Sequence, residues 1–375
     1  MPPAQLERKR WLKEAKRGTV PEFSARLATA DEIADWDSHV TSNPNGGNVL
    51  QSTPFAEVKQ LQGWRPVHLV FEGPYTSYNL VLEKAVPGLG SLWYMIKGPG
   101  VAKPADVPDI ADAAAALVKR LRLNVFAVKV EPDVVATEKI RAFFTRSGLV
   151  KTFNIQPNDS TALLDVSPEP EELLKNLHSR GRNAVRRAIR EGVEVHNVEP
   201  TEGNFRAMFE LMGQAQQGQL TATLRSFEYY RTFWRKFVDA GFGRLLFVYE
   251  DGQPSVGAFV IKYGCKGTYK DGGSTPRRSQ YGDSHLLQWT AINQLKELGV
   301  TEYDFCGTPP AARRKDKDHP QYGLGLFKTS FTKTVTDFAG CHDRVISPVK
   351  YRVWSTVGER VARQVYWRKH HQPFY

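Results

Sequence analysis

Arg244-Leu245-Leu246-Phe247-Val248-Tyr249, a turn at Asp251-Gly252, an apolar run over residues 256–263, and Gly267-Thr268-Tyr269-Lys270-Asp271 entering Gly272-Gly273-Ser274 make a three-stranded meander. Asp-Gly between two apolar runs is a strong hairpin signal, because both turn residues tolerate positive φ. The same order occurs earlier. Residues 66–71, 77–82 and 91–96 read as strands, and the third runs into Lys97-Gly98-Pro99-Gly100. Each meander is preceded by a strand and two helices (24–27 and the helices near 31 and 53–61; 193–198, 204–217 and 227–240). Each is followed by a helix and a strand (110–121 and 125–130; 283–298 and 302–305), with further strands near 151–155 and 161–166 closing the first half. A repeated order of elements takes precedence over any single assignment.

Strand, two helices, three strands, helix, strand is the order of N-acetyltransferase-like domains, whose central sheet splays to hold an acyl donor. The expected fold class is therefore α/β (α+β), with two such domains in tandem. A length of 375 residues agrees, since it exceeds one ordinary core. Apolar content of 41% and charged content of 24% exclude a disordered chain. No apolar run reaches spanning length and the first residues are charged rather than signal-like, so a cytoplasmic location is expected. Cys265, Cys306 and Cys341 are widely spaced, which argues against a disulfide framework and a zinc site; they read as small core residues. A formal charge of +11 favours polyanionic partners.

The positive charge has structure. Residues 1–20 form a basic arm carrying Arg8, Lys9, Arg10, Lys13, Lys16 and Arg17, either a solvated tail or a segment that lies on a surface through Trp11 and Leu12. Between the two halves, Ser167-Pro168-Glu169-Pro170 is a linker, and acids at Glu171 and Glu172 open a helix as its dipole prefers. A second cationic run follows, Ser179-Arg180-Gly181-Arg182-Asn183-Ala184-Val185-Arg186-Arg187-Ala188-Ile189-Arg190. Arg182, Arg186 and Arg190 line one helix face with Arg187 beside them, while Ala184, Val185, Ala188 and Ile189 fall on faces that can bury. No acid occurs between Glu172 and Glu191, so the face either binds phosphates, which suit arginine forks, or is solvated.

A final stretch carries the chemistry. Tyr303-Asp304-Phe305-Cys306-Gly307 ends a strand, a basic loop with Arg313, Arg314, Lys315 and Lys317 follows, and Gly323-Leu324-Gly325-Leu326-Phe327-Lys328 leads to Phe331. The two glycines are expected to bend the backbone, Phe327 and Phe331 to anchor it, and Lys328 to stand as a fixed cation beside a mobile rim.

In order and spacing, several blocks resemble the FemABX family of non-ribosomal peptidyltransferases. They are Leu50-Gln51-Ser52 through Lys59 and Trp64, Lys97-Gly98-Pro99-Gly100, Ile155-Gln156-Pro157 to Thr161, and Leu173-Leu174 through Arg180, Arg182 and Arg186 to Gly192-Val193. The others are residues 269–274, Leu287-Gln288-Trp289, Tyr303-Asp304-Phe305, and Gly325-Leu326-Phe327-Lys328 to Phe331. The resemblance runs from about Phe23 onward. It implies transfer of an aminoacyl group from aminoacyl-tRNA to the stem-peptide side-chain amine of a peptidoglycan precursor, either UDP-MurNAc-pentapeptide or lipid II. No cofactor is implied beyond the aminoacyl-tRNA co-substrate, and no metal. It also implies that the chain end folds back on the first domain as a helix. The expected organisation is thus the arm at 1–20, a first domain at 21–166 completed by 340–375, and a second at 167–339. Residues 237–243 pass directly into the next strand, so the coiled-coil arm of some relatives is missing. A monomer with peripheral contact at the inner membrane face is expected.

Aminolysis of an activated ester needs an oxyanion donor and a proton acceptor, and no enzyme nucleophile. By resemblance Lys328 is the oxyanion donor. Asp304 is the best carboxylate for the proton, or equally a structural acceptor for loop amides. By the same resemblance Lys59 and Arg225 are expected to bind the precursor's pyrophosphate; Tyr229, Tyr230 and Tyr269 either line the groove or belong to the core, Phe327 is expected to contact substrate, and Arg180, Arg182, Arg186, Arg187 and Arg190 to bind tRNA. Two other readings stay open. A CoA-dependent N-acyltransferase would need a phosphate loop at Arg277-Arg278-Ser279-Gln280-Tyr281-Gly282-Asp283-Ser284, which departs from the required pattern and adds the charge of Asp283. A non-catalytic RNA-binding protein would fit the charge but leave Phe327-Lys328 unexplained.

Overall fold

The structure, a computed structural model, describes residues 22–156, 159–216, 224–370 and 374–375. The basic arm at 1–20 lies outside the described residues. The first half comprises β1 (Ser24–Leu27), α1 (Ala30–Ala34), α2 (Trp36–Thr41), α3 (Thr53–Leu61), β2 (Arg65–Glu72), β3 (Thr76–Val86) and β4 (Gly90–Met95). It continues with α4 (Asp106–Arg120), β5 (Val125–Val130), α5 (Glu138–Arg146) and β6 (Val150–Lys151). Then come β7 (Ser160–Asp165), α6 (Pro170–Asn176), α7 (Ser179–Arg190), β8 (His196–Asn197), α8 (Glu202–Gln216) and α9 (Phe227–Asp239). The second meander is β9 (Gly243–Glu250), β10 (Gln253–Tyr263) and β11 (Lys266–Ser274), followed by α10 (Asp283–Glu297) and β12 (Glu302–Gly307). The chain finishes with α11 (Tyr322–Thr332), β13 (Thr336–Asp337), β14 (His342–Val345), α12 (Pro348–Val353), a π turn (Trp354–Gly358) and α13 (Glu359–His370).

Among the described residues two seven-stranded sheets result, ordered β1-β2-β3-β4-β5-β14-β6 and β8-β9-β10-β11-β12-β7-β13. They are the same sheet made twice. In each, a meander leads to one parallel pair, β4 with β5 and β11 with β12, and an antiparallel strand then lies on the far side. That last strand is exchanged between the halves. The strand at residues 161–166, expected to close the first half, is β7 and pairs with β12 of the second sheet, while β14, which follows the second sheet in sequence, inserts between β5 and β6. Local pattern specifies a strand but not its partner, which is why the pairing was not legible.

The two parallel pairs differ in a way that places the site. In the first sheet β4 and β5 stay paired to Met95 and Val130, and the Glu131 amide then donates to the carbonyls of Met95 and Gly98, which seals the end. In the second, β11 and β12 pair only from Lys266 to Thr268 against Glu302 to Asp304 and then diverge. Only the second sheet is splayed. Gly272 and Gly273 belong to β11 rather than to a turn; they pair with Ala258 and Gly257, and a Cβ on Gly273 would collide with the α8 backbone at Leu211.

One apolar core spans both halves, with Phe55 and Val58 of α3 packed among Phe233, Trp234 and Phe237 of α9. Burial of such aromatic and aliphatic groups is worth about 1.5–3 kcal/mol each, so the halves are held as one body. Cys265 is exposed, contrary to the reading of all three cysteines as core; Cys341 is buried and Cys306 half-buried.

Candidate active site

A cavity of about 1060 Å³ opens along this shared core. Its floor is the apolar Val49, Phe55, Phe233 and the rings of Tyr229 and Tyr230, and its polar lining is Lys59, Lys97, Arg225, Lys270, Arg360, Arg363 and Arg368 against the acids Asp304 and Glu359. Such an excess of cations in a concave site selects an anionic ligand.

The sequence places these groups by local rules. Ser52 caps α3 by accepting from the Phe55 amide, with Pro54 in the first turn, and one helical turn after Phe55 the Lys59 ammonium sits 5.5 Å from the Phe55 ring. Lys59 is 5% exposed. Its pKa is lowered to about 7, first by burial and then by the charges of Arg225, Lys84 and Lys270. Ser226 caps α9, so Arg225 stands at the helix N-terminus with its guanidinium 4.7 Å from the Tyr229 ring and donating to the main-chain oxygen of Tyr375 at 3.0 Å. A helix N-terminus and an arginine together suit phosphate oxygens.

Asp304 lies at the splay point. Its Oδ1 accepts from the Thr161 hydroxyl of β7 and, at 2.7 Å, from the Cys306 amide, and burial raises its pKa against those two bonds. Cys306 adopts φ 57°, uncommon for a side-chain-bearing residue. Lys328 locks the other side of this turn, donating to the carbonyls of Cys306 at 3.0 Å and Gly307 at 2.8 Å. It is 5% exposed, one residue behind the cavity wall formed by Asp304 and Cys306, with its pKa lowered by burial to about 8.

Gly323 and Gly325 do not bend the chain; both lie inside α11, where a Cβ on Gly325 would come within 2.6 Å of Pro309. Phe327 and Tyr269 do not line the cavity. Phe327 packs on His285 and Phe331, and Tyr269 packs against Phe305 with its ring 5.9 Å from the Lys328 ammonium. Lys59, Arg225, Tyr229 and Asp304 thus meet at one cavity, while Lys328 adjoins it from behind.

The arginine helix α7 packs directly on α11. Gly181 touches Ser330 so closely that any Cβ would collide, and the His178 amide donates to the Ser330 carbonyl at 3.1 Å. Its five arginines divide. Arg180 donates to the Leu326 carbonyl, Arg182 to the Lys175 carbonyl at 2.7 Å, and Arg187 pairs with Glu191 at 2.6 Å while lying 4.2 Å from the Tyr281 ring. Arg186 and Arg190 are exposed and pair with no acid among the described residues. Ile189, expected to bury, is exposed, whereas Ala184, Val185 and Ala188 are buried as read.

Sequence reasoning missed Lys97, Lys270 and the whole α13 wall. Lys97 was seen only as part of a glycine-rich turn, yet it is buried 3.2 Å from Asp133. Lys270 follows Tyr269 on β11, where strand alternation turns it to the cavity and Tyr269 away. At the start of α10, where a CoA pyrophosphate would lie, the Asp283 carboxylate is buried and ion-paired with Arg278 at 2.7 Å.

An acetyltransferase (GNAT) domain profile matches residues 179–316, the half with the splayed sheet. The lipid II:glycine glycyltransferase of Staphylococcus aureus strain MRSA252 is 24% identical over 413 residues, covering 88% of this chain and 95% of that protein. The crystal structure of FemX superposes with a TM-score of 0.73 at 20% identity, covering 89% of this chain and all of that one. A conserved Bacteroides thetaiotaomicron protein of unknown function follows at a TM-score of 0.51 and 10% identity, covering 85% of this chain and 98% of that one. The chain thus carries two acetyltransferase-type sheets in tandem beside a cation-lined cavity. Within that class of fold, the chain is similar in sequence to the lipid II:glycine glycyltransferase and in structure to FemX.

Proposed function

We propose that the protein transfers an aminoacyl group from aminoacyl-tRNA to the side-chain amine of the stem peptide in a peptidoglycan precursor. The relative named as a lipid II:glycine glycyltransferase supports this class of acceptor. The observation that carries the finer reading is the position of Lys328 between two cationic surfaces. On one side α11 carries it against the arginine helix α7; on the other, Cys306 and Asp304 separate it from the cation-lined cavity.

In this reading the precursor's pyrophosphate lies on Lys59, Arg225 and Lys270, and Arg186 and Arg190 meet the tRNA phosphates. The acceptor amine attacks the ester carbonyl; the new C–N bond forms, the ester C–O bond breaks, and the amine proton ends on the departing ribose hydroxyl. Two of the three Lys328 N–H groups are held by carbonyls, and the third supplies charge to the oxyanion that forms in between. Asp304 keeps the Cys306 turn in place, and its buried, raised-pKa carboxylate is a proton acceptor on the cavity wall.

The test is incubation of purified protein with charged tRNA and a UDP-linked pentapeptide or lipid-linked precursor, with product mass as the readout. A mass increase of one aminoacyl residue without acetyl-CoA is expected. Acylation that requires acetyl-CoA while tRNA is inert would refute the reading.

A further inference from the structure

We propose that the outward face of α12 and α13 docks on an anionic lipid bilayer and so holds the cavity mouth against the membrane surface. Val349, Val353, Val357, Val361 and Val365 recur every fourth residue and are 77, 49, 60, 47 and 56% exposed. Helix propensity does not account for them, since β-branched residues are among the weaker helix formers. Core burial does not either: the inward side is already filled by Tyr351, Trp354, Ala362 and Tyr366. On a straight α-helix of ~3.6 residues per turn a four-residue repeat drifts by about 40° each step. The π turn at Trp354–Gly358 holds more residues per turn and opposes that drift, which keeps the valines on one face.

Charge selects the occupant. Between residues 348 and 370 there are six Lys and Arg and one acid, Glu359, whose carboxylate is turned inward to the Tyr375 hydroxyl. Arg352, Arg368 and Lys369 are exposed beside the valines, and Trp367, 46% exposed, sits at the cavity rim. An apolar stripe flanked by cations with an aromatic at its edge matches a bilayer interface with anionic headgroups. A second copy of the chain would bring like charges together in a symmetric pairing. The chain's own basic arm, with Arg8, Lys9, Arg10, Lys13, Lys16 and Arg17 against Glu7 and Glu14, would do the same. The same helix supplies Arg360, Arg363 and Arg368 to the cavity wall, so docking would set the site beside a lipid-linked acceptor. That last consequence rests on the transfer reading above; the docking itself does not.

The test is flotation of the full chain with phosphatidylcholine vesicles containing about one third phosphatidylglycerol, beside pure phosphatidylcholine vesicles. The protein is expected to float with the anionic vesicles only, and less as salt is added. Val357→Glu with Val361→Glu should weaken partitioning about tenfold or more while leaving the thermal melt and transfer to a soluble nucleotide-linked acceptor unchanged. Transfer to vesicle-borne acceptor should fall with it. Equal flotation of the double variant, or none by the wild type, overturns the proposal. So does loss of flotation on deleting residues 1–20 with the double variant unaffected, or a change in solution mass with flotation unchanged, which assigns the face to a second copy. Vesicle binding that persists when neither acceptor is aminoacylated refutes the transfer reading and leaves the docking face standing.

Discussion

Lys328 Nζ donates to the main-chain oxygen of Cys306 at 3.0 Å, and that residue's own amide is held by Asp304 at 2.7 Å. A turn with positive φ is thereby clamped from both sides, at the point where β11 and β12 part. Lys328→Ala should lower kcat by about 10²–10³-fold through loss of the oxyanion donor. It should also cost about 1–3 kcal/mol of stability, because two carbonyls lose their partner. Single-turnover transfer measured well below the variant's melting temperature separates the two effects. A rate within about threefold of wild type would remove Lys328 from the chemistry.

The same lysine predicts two opposite pH responses. Its folded pKa is lowered from 10.5 to about 8, so the ammonium needed for transfer is lost as pH rises through about 8, and kcat should fall there. For stability the sign reverses. Between about 8 and 10.5 the unfolded state holds this proton and the folded state does not, so stability from this group rises with pH across that window. Rate profiles and denaturant melts of wild type and Lys328→Met should differ in these two windows.

Lys59 is a buried cation among cations, with its pKa lowered to about 7. Lys59→Met should therefore stabilise the free protein, by about 1–3 kcal/mol near neutral pH, since it removes desolvation and repulsion from Arg225 and Lys270. In the same variant the precursor KM should rise at least about tenfold, as expected for loss of a charge-assisted phosphate contact. Precursor affinity of the wild type should weaken as pH rises through about 7, where the ammonium is lost. A variant that is less stable and binds normally would contradict this placement of the phosphate.

On the arginine helix the exposed pair is the informative one. Arg186→Ala with Arg190→Ala should weaken tRNA binding and reduce the slope of log K against log salt by about 1–2. Arg182→Ala should act mainly on stability, because its guanidinium holds the Lys175 and Leu177 carbonyls. Filter binding over a salt series distinguishes the two; an unchanged slope in the double variant makes that face merely solvated.

What the sequence disclosed, and what it hid, follow from the range of the forces involved. The repeated meander was legible because strand alternation and the Asp251-Gly252 turn are local signals. Lys59, Arg225, Tyr229 and Asp304, singled out from the sequence, line one cavity. Tyr269 and Phe327 were misplaced because strand phase and helix face decide which neighbour looks outward, and Lys270 rather than Tyr269 has the cavity phase. Gly325 signals a bend in isolation; only the approach of Pro309 makes it a helix-packing residue. The pairing of β7 with β12 was invisible because the two lie more than a hundred residues apart, whereas the return of the chain end to the first half was implied by the family resemblance.

That exchange makes the last prediction. Lys129 of β5 and Asp343 of β14 are fully buried and paired at 2.8 Å, with the Tyr351 hydroxyl donating to Asp343 at 2.9 Å and Lys129 donating to Thr152 at 2.8 Å. Removing one partner leaves an uncompensated buried charge, so Asp343→Ala should cost about 3–5 kcal/mol, while Lys129→Met with Asp343→Leu should recover most of it. Because β14 is reached only after the second sheet is complete, and because one core joins the halves, the loss should lower a single cooperative transition rather than split it. Two separated transitions in calorimetry of Asp343→Ala would show that the sheets melt independently despite the exchanged strands.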